Sequence, residues 1–116
     1  RVSSVKNRSE IAMVYSNIGG LCSGAGEYDR ALGYYRQAMD QNLLSSAGDT
    51  FSMAAIYDGA GTCYERMGRY DEAVDCYRKA LDSAVSVIEE DHPFVQGLRL
   101  KVRKAYDSAL RAHQKQ

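Results

Sequence analysis

Apolar side chains recur along the chain at intervals of three and four residues. Ile56, Ala60, Cys63, Tyr64 and Met67 fall on one helical face, and Gly68 follows where a C-terminal cap would stand. Arg66 in the last turn suits the negative end of the helix dipole. A second helix opens near Tyr70-Asp71, with Asp71 and Glu72 in its first turn. Its apolar stripe is Ala73, Val74, Tyr77, Ala80, Leu81, Val85 and Ile88. The short link at Gly68-Arg69 predicts an antiparallel helical hairpin. An upstream segment has the same pattern, broken at Gly26-Glu27 and continued by Tyr28, Ala31, Leu32, Tyr35, Ala38 and Met39.

The two segments are copies. At a shift of 42, Ala12, Tyr15, Gly19, Gly26, Tyr28, Asp29, Ala31, Tyr35, Arg36, Ala38 and Asp40 fall on identical residues between Ala54 and Asp82. Eleven identities at a single shift are a repeat, and a repeat decides the architecture. Gly19 and Gly61 lie inside helices, where glycine costs about 1 kcal/mol against alanine. The expected reason is close packing against Ala31 and Ala73 of the partner helix, with Tyr15, Tyr57, Tyr35 and Tyr77 filling the wider ends. A third stripe follows in Phe94, Val95, Leu98, Val102, Ala105, Tyr106, Ala109 and Leu110. Asp91 or His92 would cap this helix and Pro93 fits its start. Arg103 stands where Gly61 would recur, so no further helix can approach closely there. The segment therefore reads as a capping helix with one solvated face, or alternatively as the first helix of a longer array cut before its further repeats.

The unit Tyr57-x-x-Ala60-Gly61-x-x-Tyr64, Gly68-x-Tyr70, Ala73, Tyr77, Ala80 resembles the tetratricopeptide repeat (TPR). The upstream unit matches as Tyr15-x-x-Ile18-Gly19-x-x-Cys22, Gly26-x-Tyr28, Ala31, Tyr35, Ala38, with Cys22 in place of the usual aromatic. The resemblance implies an all-α fold: a TPR-type α-solenoid of helical hairpins, two repeats plus a C-terminal capping helix. Repeat 1 would span about residues 8–48, repeat 2 about 50–90, and the capping helix about 93–114. The common repeat is about 34 residues long. The longer spacing of 42, and the boundary Asp91-His92-Pro93-Phe94-Val95, resemble the kinesin-light-chain type of long repeat. The earlier boundary, Asp49 to Met53, keeps only the aspartate and the apolar last residue.

Composition narrows the function classes. Lys+Arg and Asp+Glu are both 15, so the whole chain has no electrostatic grip on nucleic acid. No apolar run approaches the roughly 18 residues of a membrane span. No signal peptide is visible, and with Arg1 as its first residue the chain is expected to be an excised piece of a larger protein or a processed product. Cys22, Cys63 and Cys76 show neither C-x-x-C nor zinc spacing, and read as small core residues in a reducing, cytoplasmic setting. His92 and His113 have no partner nucleophile or metal-ligand spacing. No catalytic residue, metal or cofactor is expected, and no enzyme.

In the resembled family the first helix of each unit lines a concave face. Here that lining would be Met13, Ser16, Asn17, Gly20 and Gly24, then Ala55, Asp58, Gly59, Thr62 and Arg66, then Leu100, Lys101, Lys104 and Ser108. The helical spacing puts each set on one face. The Asn17 amide carries both a donor and an acceptor for a peptide backbone. Lys101 and Lys104, in a basic last segment opposed by Asp107 alone, suit an acidic peptide. The chaperone-tail carboxylate clamp known in some relatives would fall on Ser16, Gly20, Gly59, Gly97 and Lys101, of which only Lys101 could serve. The expected function is a non-catalytic interaction module with a protein or peptide partner, in a scaffold or cargo-adaptor role. The alternative is a self-association or repeat-stacking module, using exposed residues such as Leu43, Leu44 and Leu100.

Overall fold

The computed structural model describes residues 4–45 and 50–115. They form five α-helices: α1 (Ser4–Gly24), α2 (Tyr28–Leu44), α3 (Thr50–Arg66), α4 (Tyr70–Val85) and α5 (Pro93–Gln114). Asp49, in the earlier of the two boundaries, lies outside the described residues.

Each hairpin turns on one glycine in the left-handed region, Gly26 at φ 81° and Gly68 at φ 77°. After α1 the Glu27 N–H donates to the Cys22 carbonyl at 2.9 Å and the Gly26 N–H to Ser23 at 3.0 Å. After α3, Arg69 donates to Tyr64 at 2.8 Å and Gly68 to Glu65 at 3.0 Å. Both are Schellman closures, which use carbonyls the helix end leaves over and need a residue without a β-carbon at the turn. The chain is therefore sent back at the same angle twice, and the helices stack in order along a body of 57 × 33 × 19 Å.

The 42-residue register is visible in burial. Met53, Ile56 and Cys63 of α3 are buried beneath α2, and Val95, Leu98 and Ala105 of α5, 42 residues on, are buried against α4. The equivalent α1 positions, Ile11, Val14 and Leu21, are 41%, 54% and 75% exposed, because none of the described helices lies on that side of α1. Between the helices the second-helix stripes supply Ala31, Tyr35 and Ala38, then Ala73, Tyr77 and Ala80, all buried. Ile88, expected within the second stripe, lies beyond the end of α4 and packs from the following turn.

The helical glycines serve the tyrosines, which corrects the alanine pairing expected above. A β-carbon on Gly19 would stand 3.0 Å from the Tyr35 ring, and one on Gly61 would stand 2.8 Å from the Tyr77 ring. A β-carbon on Gly59 would meet Tyr35 Cζ and Oη at 2.5 Å. Tyr35 thus lies between α1 and α3 with its ring flat on bare backbone. Ala31 and Ala73 are fully buried, but the space at Gly19 and Gly61 is taken by aromatic carbon.

Of the two cap candidates for α5, the structure selects His92. Its Nδ1 accepts from the Phe94 N–H at 3.0 Å, and Pro93 takes the first helical position. Phe94 then meets Phe51 with ring centroids 5.4 Å apart, joining the starts of α3 and α5. Arg99, Arg103, Tyr106 and Leu110 are exposed on the outer side of α5.

Candidate functional site

The first helices α1, α3 and α5 share one face, and the expected site residues gather on it in two groups. At the α1 end, Ser9, Ala12, Met13, Ser16 and Asn17 face Ser52, Ala55 and Ile56 across a cleft of about 180 Å³. Ala12 and Ile56 are buried and make an apolar floor. Met13 is 63% exposed and stands as a wall, with the serine hydroxyls and the Asn17 amide at the rim. The site reading named Met13, Ser16, Asn17 and Ala55. It missed Ser9 and Ser52, although Ser9 lies four residues before Met13 and seven before Ser16, and so shares their face.

At the α5 end the groups are engaged with one another. Lys101 Nζ donates to Asp58 Oδ1 at 2.8 Å, and the same ammonium stands 5.9 Å from the centre of the Tyr77 ring. Asp58 is the more enclosed partner, 20% exposed against 44% for Lys101. The Thr62 hydroxyl lies 3.1 Å from the Asp58 carbonyl and 3.2 Å from the Tyr77 hydroxyl. Tyr77 in turn donates to Glu65 Oε1 at 2.7 Å. Burial, with this donation to a carboxylate, pushes the Tyr77 hydroxyl well above the ordinary tyrosine range. Thr62 is half-buried and directed into the α3–α4 junction, and Lys101 already has a carboxylate beside it. Lys104, Leu100, Arg66, Gly20 and Gly24 are exposed as expected. Gly59 and Ser108 are half-buried, Gly59 beneath the Tyr35 hydroxyl.

The basic residues of α5 also hold the helix in place. Arg99 pairs with Glu90 at 3.3 Å, and His113 Nε2 lies 3.0 Å from Asp71 at the start of α4. Both histidines thus have structural contacts, His92 as the cap of α5 and His113 between α5 and α4. The three thiols are free, Cys22 and Cys63 buried and Cys76 half-buried. Burial raises Cys63 and pushes Cys76 up to about 11, so neither is a ready nucleophile near neutral pH. Among the described residues no three of His, Cys, Asp and Glu come together as metal ligands. None of the described helices is long and apolar enough to cross a membrane.

On the opposite face a hollow of about 240 Å³ opens between α2 and α4. Tyr35, Tyr64 and Cys76 line it, with Arg36 and Lys79 set against Glu72 and Asp75. Lys79 pairs with Asp75 at 3.2 Å. Charges of both signs give this hollow no preference for a ligand of either sign.

Comparison with known proteins returns one family. Two models, both described as tetratricopeptide repeat, match residues 14–47 and 52–95, together about two thirds of the chain. No curated protein and no solved structure gives a significant match. The matched segments are the two helical hairpins with their exits, so the chain belongs to the tetratricopeptide repeat family.

Proposed function

We propose that the chain is a non-catalytic interaction module that binds a peptide segment of a partner protein along the face shared by α1, α3 and α5. Repeats of this family generally mediate protein–protein interaction and are typically non-catalytic. The observation that carries the reading is the α1–α3 cleft. An apolar floor of Ala12 and Ile56 suits one aliphatic side chain, and the Asn17 amide beside it suits the peptide backbone. Lys104 is exposed and has no ion-pair partner among the described residues, so an acidic residue of the ligand would be drawn to that end. Lys101 contributes only if the ligand's carboxylate displaces Asp58, which makes it a selective contact. The Asp-His-Pro boundary and the 42-residue spacing favour an adaptor or cargo-binding role of the kinesin-light-chain kind, in the cytoplasm.

Selection from a displayed peptide library, followed by calorimetry, tests this. The expected ligands carry an aliphatic residue and an acidic one and bind with dissociation constants on the order of 1–10 μM. Met13→Lys or Asn17→Ala should weaken them about tenfold, or about 1.4 kcal/mol. Lys104→Glu should weaken the acidic ones alone. Selected ligands that bind these variants as well as the parent chain would overturn the reading.

A further inference from the structure

We propose that the Asp58–Lys101 bridge is an autoinhibitory latch over a second peptide seat, between α3 and α5, which a glutamate of the ligand opens by taking Lys101. The latch rests on the peptide-groove reading above and adds the contact that decides which ligands enter. The repeat supplies the comparison. Shifted by 42, the cleft residues Ser9 and Ser52 become Phe51 and Phe94, and Ser16 becomes Asp58. The apolar floor of Ala12 and Ile56 becomes Ala54 and Leu98, which are buried in the same way. Met13 and Ala55 become Ala55 and Gly97, and nothing lies within 4 Å of a β-carbon added at Gly97. The α3–α5 seam thus repeats the floor of the α1–α3 cleft with smaller walls.

The two ends of the seam are where it differs. Phe51 and Phe94 meet at one end with ring centroids 5.4 Å apart, and Lys101 reaches Asp58 at the other, at 2.8 Å. The equivalents of that charged pair between α1 and α3 are Ser16 and Gly59, so the first cleft has no latch. The bridge suits exchange of its carboxylate. Lys101 is the more exposed partner, and its ammonium also stands 5.9 Å from the centre of the Tyr77 ring. That ring attracts the ammonium whichever carboxylate it meets. Thr62 and Glu65 fix the Tyr77 hydroxyl in turn. Lys104 is exposed one turn on and adds positive charge as an anion arrives. A glutamate fits the seat, with its methylene stem over Gly97 and its carboxylate on Lys101.

Asp58 belongs to the same molecule and returns to Lys101 at high effective concentration. A free carboxylate in solution therefore does not displace it. A ligand whose aliphatic residue is already seated between α1 and α3 presents its own acid at a comparable effective concentration, and does. Neighbouring helices pack about 10 Å apart and an extended peptide advances about 3.3 Å per residue. The acid is thus expected about three residues from the aliphatic anchor. The latch makes the face read two features of a ligand together rather than either alone.

The test uses two acetylated, amidated peptides that differ at one place. One carries a leucine and, about three residues on, a glutamate; the other carries glutamine there. Each is titrated into the isotope-labelled chain and followed by NMR. Both are expected to shift Asn17 and Ala55, and the glutamate peptide alone to shift Lys101. Asp58→Asn removes the competing carboxylate. It should strengthen the glutamate peptide about tenfold and leave the glutamine peptide within about twofold. Asp58→Ser, which places there the residue of the open cleft, should do the same, with thermal unfolding checking that each variant is folded. Lys101→Gln in the Asp58→Asn chain should remove the gain. Asp58 variants that bind the glutamate peptide no better than the parent, while both peptides still shift Asn17, would overturn the latch and leave the peptide groove standing. No shift at Asn17 with either peptide at about 5 mM, in the parent and in every variant, would overturn both.

Discussion

At the scale of single residues the fold depends on where a β-carbon is absent. Gly61→Ala gains about 1 kcal/mol of helix propensity. It also drives a methyl group to within 2.8 Å of the buried Tyr77 ring, an overpacking that costs about 1–3 kcal/mol. Tyr77 is tied through its hydroxyl to Glu65 and Thr62 of α3, the same helix as Gly61, and cannot swing away without breaking those bonds, so the cost wins. Net destabilisation of about 1 kcal/mol is expected. Gly33 is the control: it lies inside α2 with nothing within 4 Å of an added β-carbon. Gly33→Ala should stabilise by about 0.5–1 kcal/mol. Thermal unfolding of the two variants beside the parent chain checks both signs, and a stabilised Gly61→Ala would mean that the Tyr77 ring yields to the added methyl group. The need for glycine at these positions is legible in the sequence, because both copies carry it. Its partner is not: Ala31 and Tyr35 share one helix face, and spacing alone cannot say which of two neighbours reaches the gap.

At the scale of elements, periodicity and repetition are enough to place the helices. The bounds of α3 and α4 follow from Gly68 and from the stripes on either side of it, since a left-handed glycine ends a helix whatever the tertiary context. The start of α5 follows from Asp-His-Pro, with the cap settled only by geometry. His92→Ala removes the acceptor for the Phe94 N–H and should cost about 0.5–1 kcal/mol. His92→Asp should keep most of that stability, because a carboxylate also accepts and suits the helix dipole. Amide hydrogen exchange at Phe94 and Val95 reads the effect directly. Faster exchange in the alanine variant and near-parental exchange in the aspartate variant are expected, and equal exchange in all three would remove the cap from the account. What the one-dimensional pattern does not carry is contact between helices. The Lys101–Asp58 and His113–Asp71 pairs join residues 43 and 42 positions apart, and Lys101, read as free for a ligand, is held by one of them. The shift of 42 contained a signal for the first: Lys101 is the repeat equivalent of Gly59, the immediate neighbour of Asp58.

At the scale of the whole molecule, the core is assembled from acidic hydrogens that have to stay on. Burial raises Tyr35, Tyr77, Cys63 and Cys76 above their ordinary values, Cys76 to about 11. In each case the neutral form is the one the folded state prefers. The unfolded chain releases these protons first, from about pH 9 for the thiols and about pH 10 for the tyrosines. Their contribution is therefore fully present below pH 9 and is lost as pH rises through the raised folded-state values. The four groups lie along the α2–α3–α4 centre of the stack, so ionising them loosens both hairpins together. The midpoint of thermal unfolding is expected to be flat with respect to these groups between pH 7 and 8.5 and to fall steadily above pH 9. Cys76→Ala should make the fall between pH 9 and 10 shallower, because Cys63 is then the one raised thiol linked in that range before the tyrosines join. A slope between pH 9 and 10 unchanged in Cys76→Ala would show that its thiol reaches water in the folded chain, and that the α2–α4 hollow it lines admits solvent.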